Sequence, residues 1–225
     1  MLGTLVNVGA VILGSIIGLF VRSKLPQRII KIVFHGIGLF TIFLGVKMAL
    51  KTDHLLIMVF SIVIGSIIGE LINIEKGINN LSEYLKQKIK MSSDKFSEGL
   101  ITAFLLFCLG SLTILGAIEE GIGGKPNLLM TKSLMDGFSS IALTASLGIG
   151  VIFSVIPLLI YQGGLTLFAG SLQHIMPLVL INELTAVGGI LLIGLGINIL
   201  EMLKIRISNM LPSLVIVIVL VLIFL

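Results

Sequence analysis

The sequence predicts an all-α, polytopic membrane protein that forms one integral membrane domain over residues 1–225. Hydrophobic stretches of roughly transmembrane length fill nearly the whole 225-residue chain, mean hydropathy is +1.20, and only 12% of residues are charged. A bilayer core needs about 20 apolar residues per helix, and only helices or closed barrels satisfy their backbone polar groups there. Because the runs lack strand-like alternation, we expect helices and exclude a barrel.

About eight glycine-rich transmembrane helices account for the apolar stretches. We place them at about residues 2–21, 34–51, 55–74, 98–118, 134–160, 162–178, 183–203 and 208–225. The sixth is the least typical, because Gly163 and Gly164 open it and Pro177 closes it, so it could instead be a re-entrant segment. Apolar residues at helical spacing within 76–90 predict a short amphipathic helix on the membrane surface, and a solvated linker is the simpler alternative.

Basic residues predict the orientation of the chain. With the N-terminus outside, most of the 15 lysines and arginines fall in loops that face the cytoplasm. The outer side then keeps only Lys47, Lys51, Lys125 and Lys132. The positive-inside rule therefore predicts that both termini are outside. The net charge of +4 reports this orientation and gives no indication of nucleic acid binding.

Glycine-containing segments recur along the chain. The run VILGSIIG at 11–18 resembles IVIGSIIG at 62–69, which predicts repeated helical hairpins. Gly14 and Gly18 lie four residues apart on one helix face, as do Gly65 and Gly69. We expect all four to be helix-packing positions, because small residues let helix backbones approach closely in lipid. Such faces are also compatible with a homo-oligomer.

Polar groups inside predicted spans are the leading functional candidates, because burying them in lipid is costly. Asp136 comes first, since Ser140 and Thr144 follow at four-residue intervals and place a carboxylate and two hydroxyls on one stripe. Such a stripe can line a hydrated path, coordinate a cation or carry a proton. The equal alternative is that Asp136 caps the start of the fifth span at the outer interface, where an acid suits the helix dipole.

Further polar residues are predicted to join this path. Asn7 in the first span and Glu183 at the start of the seventh would add polar contacts, if the helices bring them together. Glu183 could instead cap its helix or pair with Lys47 or His174. Gln162 and Gly163 form a hinge-like break that could expose backbone carbonyls, and an ordinary turn is the simpler alternative.

Three residues are secondary candidates, and each has a simpler structural explanation. Lys47 can extend its ammonium to the interface. Glu70 can pair with a loop lysine, and His174 can be an interfacial histidine.

The sequence carries no signature of an enzyme. It lacks a metal-ligand cluster at fixed spacing, a phosphate-binding loop and a glycine-flanked nucleophilic serine. Cys108 is the one cysteine and lies in an apolar run, where a packing role is expected. We therefore predict no catalytic residue, no metal and no cofactor.

Several motifs together resemble a known family. They are the opening GTLVN at 3–7, GSLTILGAI at 110–118, DGFSSI at 136–141 continuing to GIGV at 148–151, and VGG at 187–189 with GLGIN at 194–198. The chain resembles the domain-of-unknown-function 554 family of YqgA-like and YdfK-like bacterial membrane proteins. The resemblance implies a multi-pass inner-membrane protein, often described as a possible transporter, without an established substrate. The Asp-Gly and Gln-Gly motifs of that family fall on Asp136-Gly137 and Gln162-Gly163.

The predicted function is passage of a small solute or ion across the bacterial cytoplasmic membrane. The expected partners are the lipid bilayer, that solute or ion, and a possible second copy of the chain, with no nucleic acid. A passive ion channel is the alternative within this class. A non-transporting scaffold or regulatory subunit, whose glycine faces bind a partner protein, is the alternative from another class.

Overall fold

The computed structural model describes residues 1–24, 26–77, 80, 96–108, 111–171 and 177–225, and the regular structure of these residues is helical throughout. The helices are α1 (Leu2–Lys24), α2 (Gln27–Ala49), α3 (Leu55–Ile72), α4 (Phe96–Cys108), α5 (Ser111–Gly121), α6 (Asn127–Leu147), α7 (Gly150–Phe153), α8 (Val155–Leu167), α9 (Leu178–Ile199), α10 (Ile207–Met210) and α11 (Ser213–Phe224). Most of the amphipathic helix predicted at 76–90 lies outside the described residues.

Five helical stretches among the described residues are long and apolar enough to cross a membrane. They are Leu2–Arg22, Leu55–Ile72, Gly150–Leu167, Leu178–Ile199 and Ile207–Phe224, and the bent pair α4 and α5 could supply a sixth. The predicted class of an all-α membrane protein with several apolar helices is therefore confirmed. The count of eight spans and the repeated hairpins stay predictions.

The exposed faces of the helices are strongly apolar, as a lipid-facing surface requires. Helix α6 shows this within two turns: Leu134 is 67% and Phe138 is 73% exposed, whereas Lys132 and Asp136 are only 4% and 6% exposed. A soluble protein places its charges outward and its large apolar side chains inward. Here α6 does the reverse, which fits a helix that borders lipid on one side.

The helix that contains Asp136 ends just before Gly148, whereas the sequence predicted that the fifth span continues to residue 160 and that the sixth begins at residue 162. Helix α6 starts at Asn127 and ends at Leu147, and Gly148 then takes a φ of +82°, a conformation that favours glycine. Gln162 and Gly163 lie inside α8, so the predicted hinge at these residues is wrong. Pro157 is the third residue of α8, where its missing N–H breaks no helical hydrogen bond.

The described residues divide into two compact units, each built from two segments of the chain. Unit 1 comprises Met1–Phe34 and Glu98–Pro177, and unit 2 comprises His35–Ser97 and Leu178–Leu225. Unit 1 is organised around α1, which packs along α6 and also contacts α8. At one end of α1, Gly3 N donates to Glu120 Oε1 over 2.7 Å, and at the other Arg22 Nη1 donates to Ser146 O over 2.6 Å. These bonds fix the register of α1 within unit 1.

Glycines on α1 allow the backbones of α1 and α6 to approach each other closely in unit 1. A Cβ atom added at Gly18 would lie 2.5 Å from Ile141 O and 2.8 Å from Thr144 Cβ, and one added at Gly14 would overlap Ser140 Oγ. Both glycines therefore sit where α1 meets the hydroxyl stripe of α6.

Glycines also allow close helix packing in unit 2. Helix α3 packs on α10 and α11, and α9 also contacts both α3 and α11. A Cβ atom at Gly65 would overlap the Ser213 backbone, and one at Gly69 would overlap Asn209 O. Helix α2 approaches α9 in the same way, since a Cβ atom at Gly45 would lie 2.6 Å from Gly189 O.

The packing of α1 on α6 predicts a position-dependent effect of alanine. Gly18→Ala should lower the free energy of unfolding by about 1–3 kcal/mol, because its methyl group must push the two helices apart. Gly9→Ala is the matched control: a Cβ atom there meets nothing within 4 Å, and alanine favours a helix more than glycine does. Thermal unfolding of the purified variants in detergent measures both. Equal melting temperatures for the two would contradict the packing described for α1.

Candidate functional site

A buried ion pair lies in the middle of α6. The Lys132 ammonium donates to Asp136 Oδ2 one helical turn away, and neither side chain is substantially exposed. Because α6 begins at Asn127, Asp136 does not cap the start of a helix. Lys132, which the hydropathy profile assigned to an outer loop, is instead part of the same helix.

Two carboxamides connect this ion pair to α1 and α8. Asn7 Nδ2 donates to Asp136 Oδ2 and to Gln162 Oε1, both over 3.0 Å. Gln162 Nε2 in turn donates to Thr4 Oγ1 over 3.2 Å. Asn7 and Gln162 are completely buried. The structure thus brings together three residues that the sequence analysis selected separately, namely Asn7, Asp136 and Gln162.

Two threonine hydroxyls extend the network between α1 and α8. Thr4 Oγ1 lies 3.3 Å from Thr166 Oγ1, and the Thr166 hydroxyl donates to Gln162 O over 3.0 Å. Because Thr166 uses its one proton on that carbonyl, the Thr4 hydroxyl is the donor between the two threonines. We refer to Thr4, Asn7, Lys132, Asp136, Gln162 and Thr166 as the Asn7–Asp136 cluster.

One atom of the Asn7–Asp136 cluster is buried without a hydrogen-bond partner, and it is Asn7 Oδ1. The orientation of this amide follows from its surroundings, since Nδ2 faces two oxygen acceptors and a flipped amide would place oxygen against oxygen. A buried polar atom without a partner costs about 1–3 kcal/mol. Such an atom in a native fold calls for an explanation, and an ion or ligand is one.

Apolar groups enclose the charged end of the cluster. The Lys132 ammonium lies 5.8 Å from the centroid of the Phe107 ring, and Phe107 is completely buried. Cys108, the next residue, is a buried free thiol. These side chains of α4 keep the surroundings of the ion pair weakly polar, which strengthens electrostatic interactions within it.

The hydroxyl stripe of α6 faces the glycines of α1. Ser140 Oγ donates to Gly137 O over 2.8 Å, and Thr144 Oγ1 is buried without a partner. Ser15 on α1 and Ser146 near the end of α6 also have buried hydroxyl oxygens without partners. The C-terminal half of α6 therefore continues from Asp136 with buried hydroxyls that protein groups do not fully satisfy.

Glu183, which was expected beside Asn7 and Asp136, makes its contacts within unit 2. Its carboxylate is 1% exposed and accepts hydrogen bonds from Thr52 Oγ1 at 2.6 Å, Asp53 N at 3.0 Å and His54 N at 3.2 Å. These donors form the turn before α3, so Glu183 anchors that turn from α9. The contact with Lys47 is not formed, since Lys47 is exposed on α2. His174 lies outside the described residues.

Glu70 forms a polar group at the other end of α3. It accepts hydrogen bonds from Arg206 Nη1 over 2.6 Å and from Asn209 Nδ2 over 2.7 Å, and Asn209 Oδ1 accepts from Glu75 N over 2.7 Å. The acid is therefore paired with Arg206, and most of the loop lysines that were its predicted partners lie outside the described residues. Both partners of the ion pair are more than half exposed, so the pair contributes little to stability.

Two members of the cluster, Lys132 and Thr166, were not selected from the sequence. A signal for Lys132 was present, because an opposite charge four residues before Asp136 lies on the same helix face. Thr166 carries no such signal, since its contact with Thr4 joins residues far apart in the chain. Among the described residues, no group of three or more His, Cys, Asp and Glu side chains could hold a metal ion.

The buried ion pair predicts a strong energetic coupling between its two residues. Lys132→Gln should cost about 3–5 kcal/mol of folding stability, because it leaves the Asp136 carboxylate buried without its counter-charge. Adding Asp136→Asn should recover most of that loss. A double-mutant cycle on chemical unfolding in detergent measures the coupling. Additive losses from the two single substitutions would show that the residues do not form a pair.

The role of Glu183 predicts a local effect in unit 2. Glu183→Ala removes the acceptor of two backbone N–H groups and one hydroxyl, which should cost about 1–3 kcal/mol and increase hydrogen exchange at residues 52–58. Glu183→Gln keeps one amide oxygen as an acceptor and should have a smaller effect. Hydrogen–deuterium exchange followed by mass spectrometry measures both, and unchanged exchange in the alanine variant would remove this anchoring role.

Comparison with known proteins places the chain in a family. It is 36% identical to the uncharacterized membrane protein YdfK of Bacillus subtilis strain 168 over 222 residues, which covers 96% of this chain and 93% of the relative. It is 34% identical to the uncharacterized protein YqgA of Escherichia coli K12 over 223 residues, covering 95% and 93%. No solved structure matches the chain significantly. The family described as "Protein of unknown function (DUF554)" matches residues 2–222, so the chain belongs to the DUF554 family.

Proposed function

We propose that this multi-pass membrane protein carries a small solute or ion across the bacterial cytoplasmic membrane and binds it at the Asn7–Asp136 cluster. One observation carries the proposal: a Lys–Asp pair and two carboxamides are buried among apolar helices, and one carboxamide oxygen has no partner. Ionisable groups within membrane helices commonly mark the path of an ion or substrate.

Stability alone gives no reason for such a cluster. A buried ion pair loses so much hydration energy that well-packed apolar residues of similar volume are often as stable or more stable. The orphaned oxygen of Asn7 adds a further cost. A binding role accounts for both, because a ligand that enters the cluster can satisfy atoms that the protein leaves without partners.

The surrounding helices suit a site that opens and closes. Gly14 and Gly18 bring α1 against α6 without interlocking side chains, and Gly148 ends α6 with a conformation that favours glycine. In this proposal α1 rocks against α6, and Ser140 and Thr144 line the continuation of the path. The pivot is Gly148, and Gln162 acts as a polar contact of the site. Glu183 anchors α3 and is a structural residue.

A passive ion channel through the same cluster is the alternative within this class. The scaffold alternative depended on free glycine faces that bind a partner protein. Gly14 and Gly18 are covered by α6, and Gly65 and Gly69 are covered by α10 and α11, so these faces already have partners within the chain. We therefore favour transport. Outward-facing termini and a homo-oligomer remain part of the proposal.

The transport proposal predicts loss of flux in a folded variant. Asp136→Asn should abolish charge movement in proteoliposomes on a solid-supported membrane, tested with inorganic ions, amino acids, polyamines and organic acids, because it removes the one carboxylate of the site. Asp53→Asn, the same substitution at an exposed aspartate, is the control and should keep the wild-type current. A current that survives in Asp136→Asn would refute the site. A folded wild type that shows no flux with any of these solutes would count against transport and favour the scaffold.

A further inference from the structure

Polar side chains of α1 form one stripe that runs nearly the whole length of the helix. Its members are Thr4, Asn7, Ser15 and Arg22. They follow one another at three, eight and seven residues, which are close to whole turns of 3.6 residues and place them on one face. At about 1.5 Å per residue the stripe extends for about 27 Å, close to the thickness of the hydrocarbon core of a bilayer. We call this face the α1 stripe, and it is long enough to cross a membrane within unit 1.

A charged side chain stands at each end of the α1 stripe. At one end Glu120 Oε1 accepts a hydrogen bond from Gly3 N and pairs with the Met1 amine, while the other carboxylate oxygen has no partner, although the side chain is only 6% exposed. At the other end Arg22 Nη1 donates to Ser146 O. Polar groups therefore continue to both ends of the helix, as a route between two aqueous sides requires.

Buried polar atoms without a hydrogen-bond partner follow the α1 stripe from end to end. In order along the helix they are Glu120 Oε2, Asn7 Oδ1, Ser15 Oγ, Thr144 Oγ1 and Ser146 Oγ. Thr144 belongs to the series because it faces α1 at Gly18. Every one of these atoms is an oxygen, and carboxylate and amide oxygens only accept hydrogen bonds. Such a row is accounted for by water or by a solute that donates hydrogen bonds.

Val11 interrupts the α1 stripe. It lies four residues after Asn7 and four before Ser15, on the same helix face, and it is completely buried. An apolar constriction stops the passage of ions and polar solutes because water leaves it. Val11 therefore separates the Asn7–Asp136 cluster from the hydroxyls of Ser15 and Thr144.

We propose that the α1 stripe is a complete route across the membrane for small solutes that donate hydrogen bonds, and that Val11 is its gate. The route is closed in this structure, since Asn7, Val11 and Ser15 are completely buried. It opens when α1 moves against α6 and carries Val11 out of the stripe. The ion pair of Lys132 and Asp136 stays intact during this movement. The inference rests on the proposed transport function and adds to it the route, the gate and the hydrogen-bonding character of the solute.

Single cysteines test whether water reaches the α1 stripe, because methanethiosulfonate reagents modify the thiolate, which forms in water and not in lipid. The full-length protein with Cys108→Ala is labelled in membrane vesicles with a cationic, impermeant methanethiosulfonate. Ser15→Cys should react from one side of the membrane. Ile16→Cys, at the next position, which is 52% exposed on the apolar surface, is the matched control and should react about tenfold more slowly. Equal rates at the two positions would overturn the route.

The gate is tested by Val11→Thr, which keeps the branched shape of the side chain and makes the stripe polar throughout. In proteoliposomes this variant should raise the uptake of guanidinium and urea about tenfold, and it should make Ser15→Cys reactive from both sides. Val6→Thr is the same substitution at a position that is 38% exposed, and it should behave as wild type. If Val11→Thr fails to fold, Val11→Ala widens the constriction and should have the same effect. Unchanged uptake in the folded Val11 variant would overturn the gate.

The two solutes and an anion identify the chemistry that the route accepts. Guanidinium and urea are planar and similar in size, and both donate N–H hydrogen bonds, but only guanidinium is charged. An increase for guanidinium alone would assign the route to cationic donors, and an increase for both would include neutral ones. Nitrate is also planar but has no donor, so its uptake should not change. Nitrate uptake that rises as much as that of the other two would overturn the preference for donors.

Failure of this inference is distinguishable from failure of the transport site. Labelling of Ser15→Cys, together with a wild-type current in Asp136→Asn, would support the route and remove the Asn7–Asp136 cluster as the site. Loss of current in Asp136→Asn, with Ser15→Cys no more reactive than Ile16→Cys, would keep that site and overturn the route.

Discussion

The hydrogen-bonded ion pair of Lys132 and Asp136 is the interaction on which the organisation of unit 1 depends. It allows α6 to carry two charges while its opposite face exposes Leu134 and Phe138. Asn7 on α1 binds the same carboxylate oxygen and also reaches Gln162 on α8, so the side chain of Asn7 links α6 to α8. The glycines of α1 are necessary for this meeting, because any larger side chain at Gly14 or Gly18 would keep the two backbones apart.

Two buried acids of the chain differ in role because their partners differ. Glu183 in unit 2 accepts three hydrogen bonds from one turn, two of them from backbone N–H groups, which is the pattern of a structural anchor. Among the described residues Asp136 is bound by two side chains, of which one is a lysine and the other has an unpartnered oxygen. A side-chain partner can leave Asp136 by a change of rotamer, whereas the two backbone donors of Glu183 can leave only if the turn before α3 changes its conformation. This difference in partners is the reason to place the ligand at Asp136.

Hydropathy and small-residue spacing predicted the class of the protein and several members of the site. Asp136 and Asn7 could be selected because polar residues in apolar helices are costly, and Gly14 and Gly18 because of their spacing. Lys132 was missed because counting charges by loop assigns each lysine to an aqueous side, and the compensating acid one turn later was not considered. The end of α6 at Gly148 was not predicted, because one glycine with a positive φ does not change the hydropathy profile. Contacts such as that of Asn7 with Gln162 join residues 155 apart in the chain and depend on packing.

A crystal structure of the full-length protein that shows ordered ions and small solutes would test the central claim most directly. We expect electron density for a bound solute or ion in contact with Asn7 Oδ1 and the Asp136 carboxylate. A map without such density, with a protein donor on Asn7 Oδ1, would contradict the claim. In that case the cluster would be a structural feature of unit 1 alone.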